Sequence, residues 1–255
     1  MRASLVALTT VISLLLLLSL RGGAQSLQDV PLADGAANSP IVAELFTSQS
    51  CSSCPPAEKL FAELADRSDL IVLEWHVDYW DRLVHGRAGA WKDPYSDAEH
   101  TKRQRQYNRT LRGTNSVYTP QAVVNGRYET VGSRPGKVSS LLESAPHVTA
   151  ALTMTRNDKG LRANISALEH PLAQSAEVYR LELLPEQTTA VPRGENRGAV
   201  LTSRNIVIAA EQIGVYSGAA ATYPVAAPQA GHACAIIVQE MRGGQLGPIL
   251  SASYC

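Results

Sequence analysis

Ile41-Val42-Ala43-Glu44-Leu45-Phe46-Thr47-Ser48-Gln49-Ser50-Cys51-Ser52-Ser53-Cys54-Pro55-Pro56-Ala57 is the stretch from which the rest of the chain is read. Ile41 to Phe46 is a short apolar run suited to a buried strand, with Glu44 its one charge. From Ala57 the apolar residues fall at Ala57, Leu60, Phe61, Leu64 and Ala65, the stripe of a helix packed against a sheet. Pro55 and Pro56 lack backbone donors and fit the first turn of that helix, where the donors would go unpaired anyway. Cys51 and Cys54 therefore lie between a strand and a helix start. A thiolate there meets unpaired N–H groups and the positive end of the helix dipole, which lowers its pKa and improves it as nucleophile and leaving group. The expected roles are Cys51 as an exposed attacking thiolate and Cys54 as a deeper resolving thiol. A permanently oxidised staple and a metal-binding pair are the alternatives.

Downstream, Leu70 to Val77 is a second strand, which with the preceding helix implies a parallel pair and a right-handed crossover. Residues 78 to 96 read as a loop rich in Trp, Tyr, Gly and Asp. Asp97 to Leu111 is a polar helix with Ala98, Tyr107 and Leu111 as its thin apolar side. Asn125-Gly126, between two β-prone runs, is a hairpin signal because both turn positions need positive φ. Residues 135 to 145 form a last helix.

The order β, α, β, α, β, β, α over residues 40–146 resembles a thioredoxin-like domain, a mixed sheet flanked by helices. The likeness extends to a proline, Pro120, just before the hairpin. Thioredoxin-like folds place a cis proline opposite the cysteines, although X-Pro bonds are cis in only about 5% of folded cases. Pro120 is therefore expected to be cis, with Thr119 facing the Cys51 sulfur. Glu44 is a candidate buried carboxylate that accepts a proton from Cys54. Thioredoxins carry such an acid six positions before the first cysteine, whereas Glu44 is seven before Cys51. A one-residue offset turns a strand side chain to the other face, so a salt bridge at the strand end is the equal alternative.

After Pro146 the runs at 148–155, 161–168, 176–184, 206–215, 233–240 and 249–254 are β-prone, with weak helical periodicity. Residues 147–255 are expected to form a mostly antiparallel β-domain, a small sandwich. A hairpin turning between Gly244 and Gln245 places Cys234 opposite Cys255. In a non-hydrogen-bonded register the two can form a disulfide, a structural staple worth roughly 3 kcal/mol.

The chain opens with Met1-Arg2, an apolar run from Leu5 to Leu20 and small residues to Ala24, which reads as a signal peptide over residues 1–24. Residues 25–39 read as a flexible leader. The expected location is periplasmic or secreted, with no membrane association after cleavage. The full chain carries 23 basic and 23 acidic residues; loss of Arg2 and Arg21 leaves 21 against 23, near neutrality. That balance offers no field to recruit nucleic acid. The basic run Lys102, Arg103, Arg105, Arg109 and Arg112 reads as a solvated helix face. No Gly-x-Ser-x-Gly elbow is present. His76 and Asp78 share a strand face and could join the cysteines around copper, but a lone His at a strand end is more often structural, so no metal and no cofactor is expected.

Glu44 to Ala57, His76-Val77-Asp78-Tyr79-Trp80-Asp81, Arg103-Gln104-Arg105-Gln106-Tyr107 and Tyr118-Thr119-Pro120-Gln121 resemble, in order, blocks of the exported bacterial family called domain of unknown function 1223. Gly194-Glu195-Asn196-Arg197-Gly198 is similar to a further block of that family. The resemblance implies a thioredoxin-like fold with an uncharacterised activity. The chain departs from the family where Arg82 to Ala90 precede Trp91-Lys92-Asp93-Pro94. The expectation is an exported thiol-disulfide oxidoreductase acting on protein or small-molecule thiols and disulfides. A binding module with a structural Cys51–Cys54 bond and a copper-delivery protein are the rivals.

Overall fold

The computed structural model describes residues 30–31, 40–83, 91–146 and 150–255. The expected signal at 1–24, most of the leader and most of the Arg82–Ala90 segment lie outside them. Within the leader, β1 (Val30–Pro31) pairs antiparallel with the strand containing Thr155 and Arg156. A two-residue pairing has no periodicity to read, and what holds it is the open edge of its neighbour.

The first half follows the expected order. β2 (Ile41–Thr47), α1 (Pro55–Leu64) and β3 (Leu70–His76) form the strand, helix and parallel strand. A short helix, α2 (Tyr79–Leu83), opens the segment expected to be loop. α3 (Ala98–Arg112) starts at Asp97, whose carboxylate accepts the Glu99 N–H, and stops at Gly113 in the left-handed region, φ 64°. β4 (Gln121–Val124) and β5 (Tyr128–Val131) flank Asn125 and Gly126, at φ 48° and 61°. α4 (Pro135–Ser144) closes this half.

The remaining strands are β6 (Leu152–Asn157), β7 (Gly160–Ile165), β8 (Ala176–Ala190), β9 (Val200–Tyr216), β10 (Ala221–Val225), β11 (Ala233–Arg242) and β12 (Gln245–Tyr254). They do not form a self-contained sandwich. Four of them continue the first sheet, giving one eight-stranded mixed sheet in the order β12-β11-β8-β9-β3-β2-β4-β5. The joint is β9, parallel to β3 with Ile206 opposite Glu74. Only β6, β7 and β10, with β1, form the separate four-stranded antiparallel sheet. The reason is visible in β3: its Ile71, Leu73 and Trp75 face needs Leu181, Leu183, Ala235 and Ile237 from the second half to bury it.

Three apolar cores result among the described residues. One, between α1, α4 and the near half of the large sheet, holds Ala43, Leu45, Phe61 and Leu142. A second, on the opposite face with α3, joins Phe46, Trp75 and Tyr107 to Leu183, Ile237 and Ile249 across the two halves of the chain. A third packs the small sheet, through Leu152, Met154 and Ile165, onto Val178, Ile236 and Val238.

Candidate functional site

Cys51 and Cys54 are disulfide-bonded with Cα atoms 5.4 Å apart, and Cys54 is the N-cap of α1. The Cys54 N–H donates to the Cys51 carbonyl at 3.1 Å, closing a tight turn onto the helix. The Thr119–Pro120 peptide is cis. Ser53 links the two features: its hydroxyl lies 3.3 Å from the Cys51 sulfur and donates to the Thr119 carbonyl at 3.5 Å. Trp80 braces the same corner, its indole N–H donating to the Thr119 hydroxyl at 2.6 Å. Cys51, Cys54, Thr119 and Pro120 are thus brought together from distant parts of the chain.

One expectation fails. Cys51 is 0% exposed, like Cys54, while Ser52 and Ser53 remain in solvent. The tip of the β8–β9 hairpin, residues 191–199, lies over the main chain of this loop. Glu195 accepts the Ser52 N–H at 3.0 Å, and the Asn196 amide donates to the carbonyls of Gln49 at 2.9 Å and Cys51 at 3.0 Å. Gly194, at φ 79°, lets the tip lie against Trp91, whose Cβ would stand 3.2 Å from any Cβ added there. Trp91 and Asp93 also hold the loop. Asp93 accepts the Gln49 N–H at 2.7 Å, and the Ser50 hydroxyl donates to the Trp91 carbonyl at 2.7 Å.

Glu44 does not lie beneath the cysteines. Its neighbours Ala43 and Leu45 face α1, so Glu44 faces α3, where Arg103 donates to it at 2.7 Å and the Tyr107 hydroxyl donates to its other oxygen. Arg103 also donates to Gln239 of β11 at 2.9 Å and lies over the Trp75 ring. Arg103 is therefore not part of a solvated face; it is buried as the counter-ion of Glu44. The seven-residue spacing had the parity of the wrong face.

The buried acid that shares a helix face with Cys54 is Glu58, one helical turn later, and its N–H donates to the Cys54 carbonyl at 3.1 Å. Residues four apart on a helix share a face, and this one looks down on Thr47 of β2 and Glu74 and His76 of β3. Thr47 donates to Glu58 at 2.7 Å, and the other Glu58 oxygen is buried without a hydrogen-bond partner. Burial, reinforced by the Glu74 charge and opposed by His76 and Thr47, pushes the Glu58 carboxyl up to about 7. Beside it, His76 Nδ1 is 2.7 Å from Asp93, and Nε2 is 3.7 Å from Glu74, beyond hydrogen-bond reach. Burial alone would lower the His76 pKa, but the two carboxylates outweigh it and hold the ring protonated. Burial raises Glu74, while for Asp93 it is outweighed by His76 and by the Gln49 and Tyr95 N–H groups, which keep that carboxyl low.

His76 and Asp78 do not converge. Asp78 accepts from Thr101 at 2.7 Å and pairs with Arg82, away from the His76 ring. Among the described residues no group of three or more His, Cys, Asp or Glu side chains is placed to hold a metal ion.

Cys234 and Cys255 are disulfide-bonded, Cα atoms 5.3 Å apart. Their register is hydrogen-bonded, with the Cys255 N–H donating to the Cys234 carbonyl at 2.9 Å. The hairpin turns at Gly243-Gly244, both at positive φ, one residue before the expected centre. Two register shifts along β11 and β12 restore the opposition of the cysteines.

Sequence reading missed Glu58, Asp93, Glu195 and Asn196. Glu58 left a trace as a charged residue four positions after Cys54 on the packed helix. The other three lie in blocks noted for resemblance alone, with no local pattern to assign a role.

Comparison with known proteins follows the same outline. A family described as protein of unknown function (DUF1223) matches residues 42–239. Among solved structures, protein AGR_C_4864 from Agrobacterium tumefaciens is similar at 27% identity and a TM-score of 0.70, over 86% of this chain and 95% of that one. HBP35 of Porphyromonas gingivalis shares the fold at 11% identity and a TM-score of 0.56, over 87% of this chain and 76% of that one. No curated protein matches.

Proposed function

The chain belongs to the DUF1223 family of proteins of unknown function, and we propose that it carries out thiol-disulfide exchange through Cys51 and Cys54, on a thioredoxin-like half, in an exported compartment where such bonds persist. The observation that supports this most is the layering of the site. A disulfide at a helix N-terminus, linked through Ser53 to a cis Thr119–Pro120 peptide, is followed one helical turn later by a buried carboxyl that burial pushes up to about 7. A bond serving only as a staple has no use for that carboxyl, and burying it has a cost.

In the direction that reduces the pair, a client thiolate attacks the Cys51 sulfur and forms a mixed disulfide. The Cys51–Cys54 bond breaks, Cys54 leaves with the electron pair, and the Glu58 carboxyl supplies its proton. A second client thiol, losing its proton to solvent, attacks the client sulfur of the mixed disulfide and releases Cys51. The client ends oxidised by two electrons, and the protein holds a Cys54 thiol and a Cys51 thiolate, which solvent protonates as it does the spent Glu58 carboxylate. The reverse sequence oxidises the protein, with Glu58 taking the Cys54 proton. Reduction potentials relative to the client select the direction.

The second reading is a binding module in which the bond is a staple, and the complete burial of both cysteines favours it. Trapping separates the two. With Cys54→Ala expressed in the native compartment, exchange predicts covalent adducts through Cys51 that thiols release. Recovery no greater than from the Cys51→Ala, Cys54→Ala double variant supports the staple.

A further inference from the structure

The covering hairpin tip is the part of the site for which thiol chemistry alone gives no reason. It reaches the Cys51–Cys54 loop from more than 140 positions away in sequence. Every polar contact it makes there goes to main chain: the carbonyls of Gln49 and Cys51 and the N–H of Ser52. Those are groups that an approaching extended polypeptide can satisfy with its own N–H and C=O groups. Glu195 supplies the acceptor and Asn196 the donors, so the two side chains offer the polar complement of a short piece of backbone.

The tip is also built to keep its shape. The Gly198 N–H donates to the Val191 carbonyl at 2.8 Å, the Ala199 N–H to Asn196 at 2.9 Å, and the Val191 N–H to Ala199 at 2.9 Å. Gly194 and Gly198 take positive φ, 79° and 85°, so the chain can double back. At the root of the hairpin, β9 runs beside β3 and Ser203 is buried near Glu74. The base of the hairpin is thus fixed in the sheet, and the tip reaches from it over the Cys51–Cys54 loop.

We propose that Glu195 and Asn196 are specificity-determining residues of the exchange site, an internal stand-in for the main chain of a protein client, so that the disulfide reacts with polypeptide thiols in preference to small thiols. The proposal rests on the exchange reading and adds the substrate class. A polypeptide that displaces the tip replaces the three hydrogen bonds it breaks. Dithiothreitol, with no amide, must break them without replacement, and a buried polar group left unpaired is costly. Small thiols then reach the Cys51 sulfur only during spontaneous openings of the tip.

The test measures second-order rates of reduction of the Cys51–Cys54 bond in the full chain, read by alkylation and mass. The two reductants are dithiothreitol and, as a polypeptide thiol, reduced unfolded ribonuclease. Asn196→Ala, which removes two of the three bonds, is expected to raise the dithiothreitol rate about tenfold and to change the ribonuclease rate less than threefold. Glu195→Gln, which keeps the shape and weakens the third bond, should move the same ratio by a smaller factor. It also stands in if Asn196→Ala unfolds, which a thermal melt would show. Equal acceleration with both reductants means a simple lid and overturns the specificity role. Unchanged rates with both mean that the tip does not control access, and also overturn it. Failure of the exchange reading looks different, since the trapping experiment would then return no adducts whatever the rate ratio.

Discussion

Glu44 and Glu58 are both buried, and the side of the sheet each faces decides its chemistry. Glu44 meets a guanidinium and a phenol at hydrogen-bond distance. Glu58 meets a hydroxyl, two further carboxylates and a partly compensating imidazolium, and its pKa rises from the ordinary 4.5 to about 7. The folded protein thus retains a proton that the unfolded chain gives up above pH 4.5. Stability from this group is full below that value and is lost as pH rises to about 7, on the order of 3 kcal/mol across the window. Glu58→Gln should flatten this part of the profile and leave the variant more stable than the parent at pH 8, by several degrees in thermal midpoint. The same substitution should remove an inflection near pH 7 from the rate of disulfide reduction. A parent and variant with parallel stability and rate profiles would show that Glu58 holds no proton there.

At the scale of elements, α3 illustrates how polarity misleads. Its buried positions are His100, Thr101, Arg103, Gln104, Tyr107 and Asn108, nearly all polar, so a stripe of apolar residues could not have found the packed face. Besides the Tyr107 ring in the apolar core, what binds the helix to the sheet is a closed set of hydrogen bonds among Glu44 on β2, Arg103 and Tyr107 on α3, and Gln239 on β11, charge-assisted where Glu44 or Arg103 takes part. Glu44→Gln leaves the Arg103 charge buried without its counter-ion and should destabilise the fold by about 3–5 kcal/mol, measured by denaturant unfolding. The pH dependence of disulfide reduction should keep its shape, because this network is on the far side of the sheet from Glu58. A shift of that profile would return Glu44 to the exchange site. The hairpin, by contrast, could be read in sequence because Asn125-Gly126 encodes a backbone geometry locally. Its further role was not: Asn125 accepts the Val42 N–H at 2.7 Å and its carbonyl accepts the Ile249 N–H at 2.9 Å, tying the turn to β12.

At the scale of the whole molecule, the two halves share a sheet and a core. A fragment of residues 40–146 would lose the cover that Leu181, Leu183, Val207, Ile237, Leu246 and Ile249 give to Phe46, Ile71, Leu73 and Trp75. At about 1.5–3 kcal/mol for each large apolar side chain, the loss rivals the whole stability of an ordinary domain, about 5–15 kcal/mol. The fragment should show no cooperative thermal transition and should bind a hydrophobic dye. A sharp melt near that of the full chain would mean that the first half is autonomous.

The sequence by itself determined the local features: the strand, turn and helix around Cys51 and Cys54 and the hairpin at Asn125-Gly126, whereas Cys234 meets Cys255 only through two register shifts along β11 and β12. Periodicity, positive φ and short-range opposition of residues depend on neighbours along the chain. Only the tertiary structure decided which acid is buried behind the first turn of α1, which residues bind the Cys51–Cys54 loop and where the second half joins the first. Those outcomes depend on the face of a strand and on contacts between residues far apart in sequence. No local propensity encodes them, because burial is settled by all the elements that share a core.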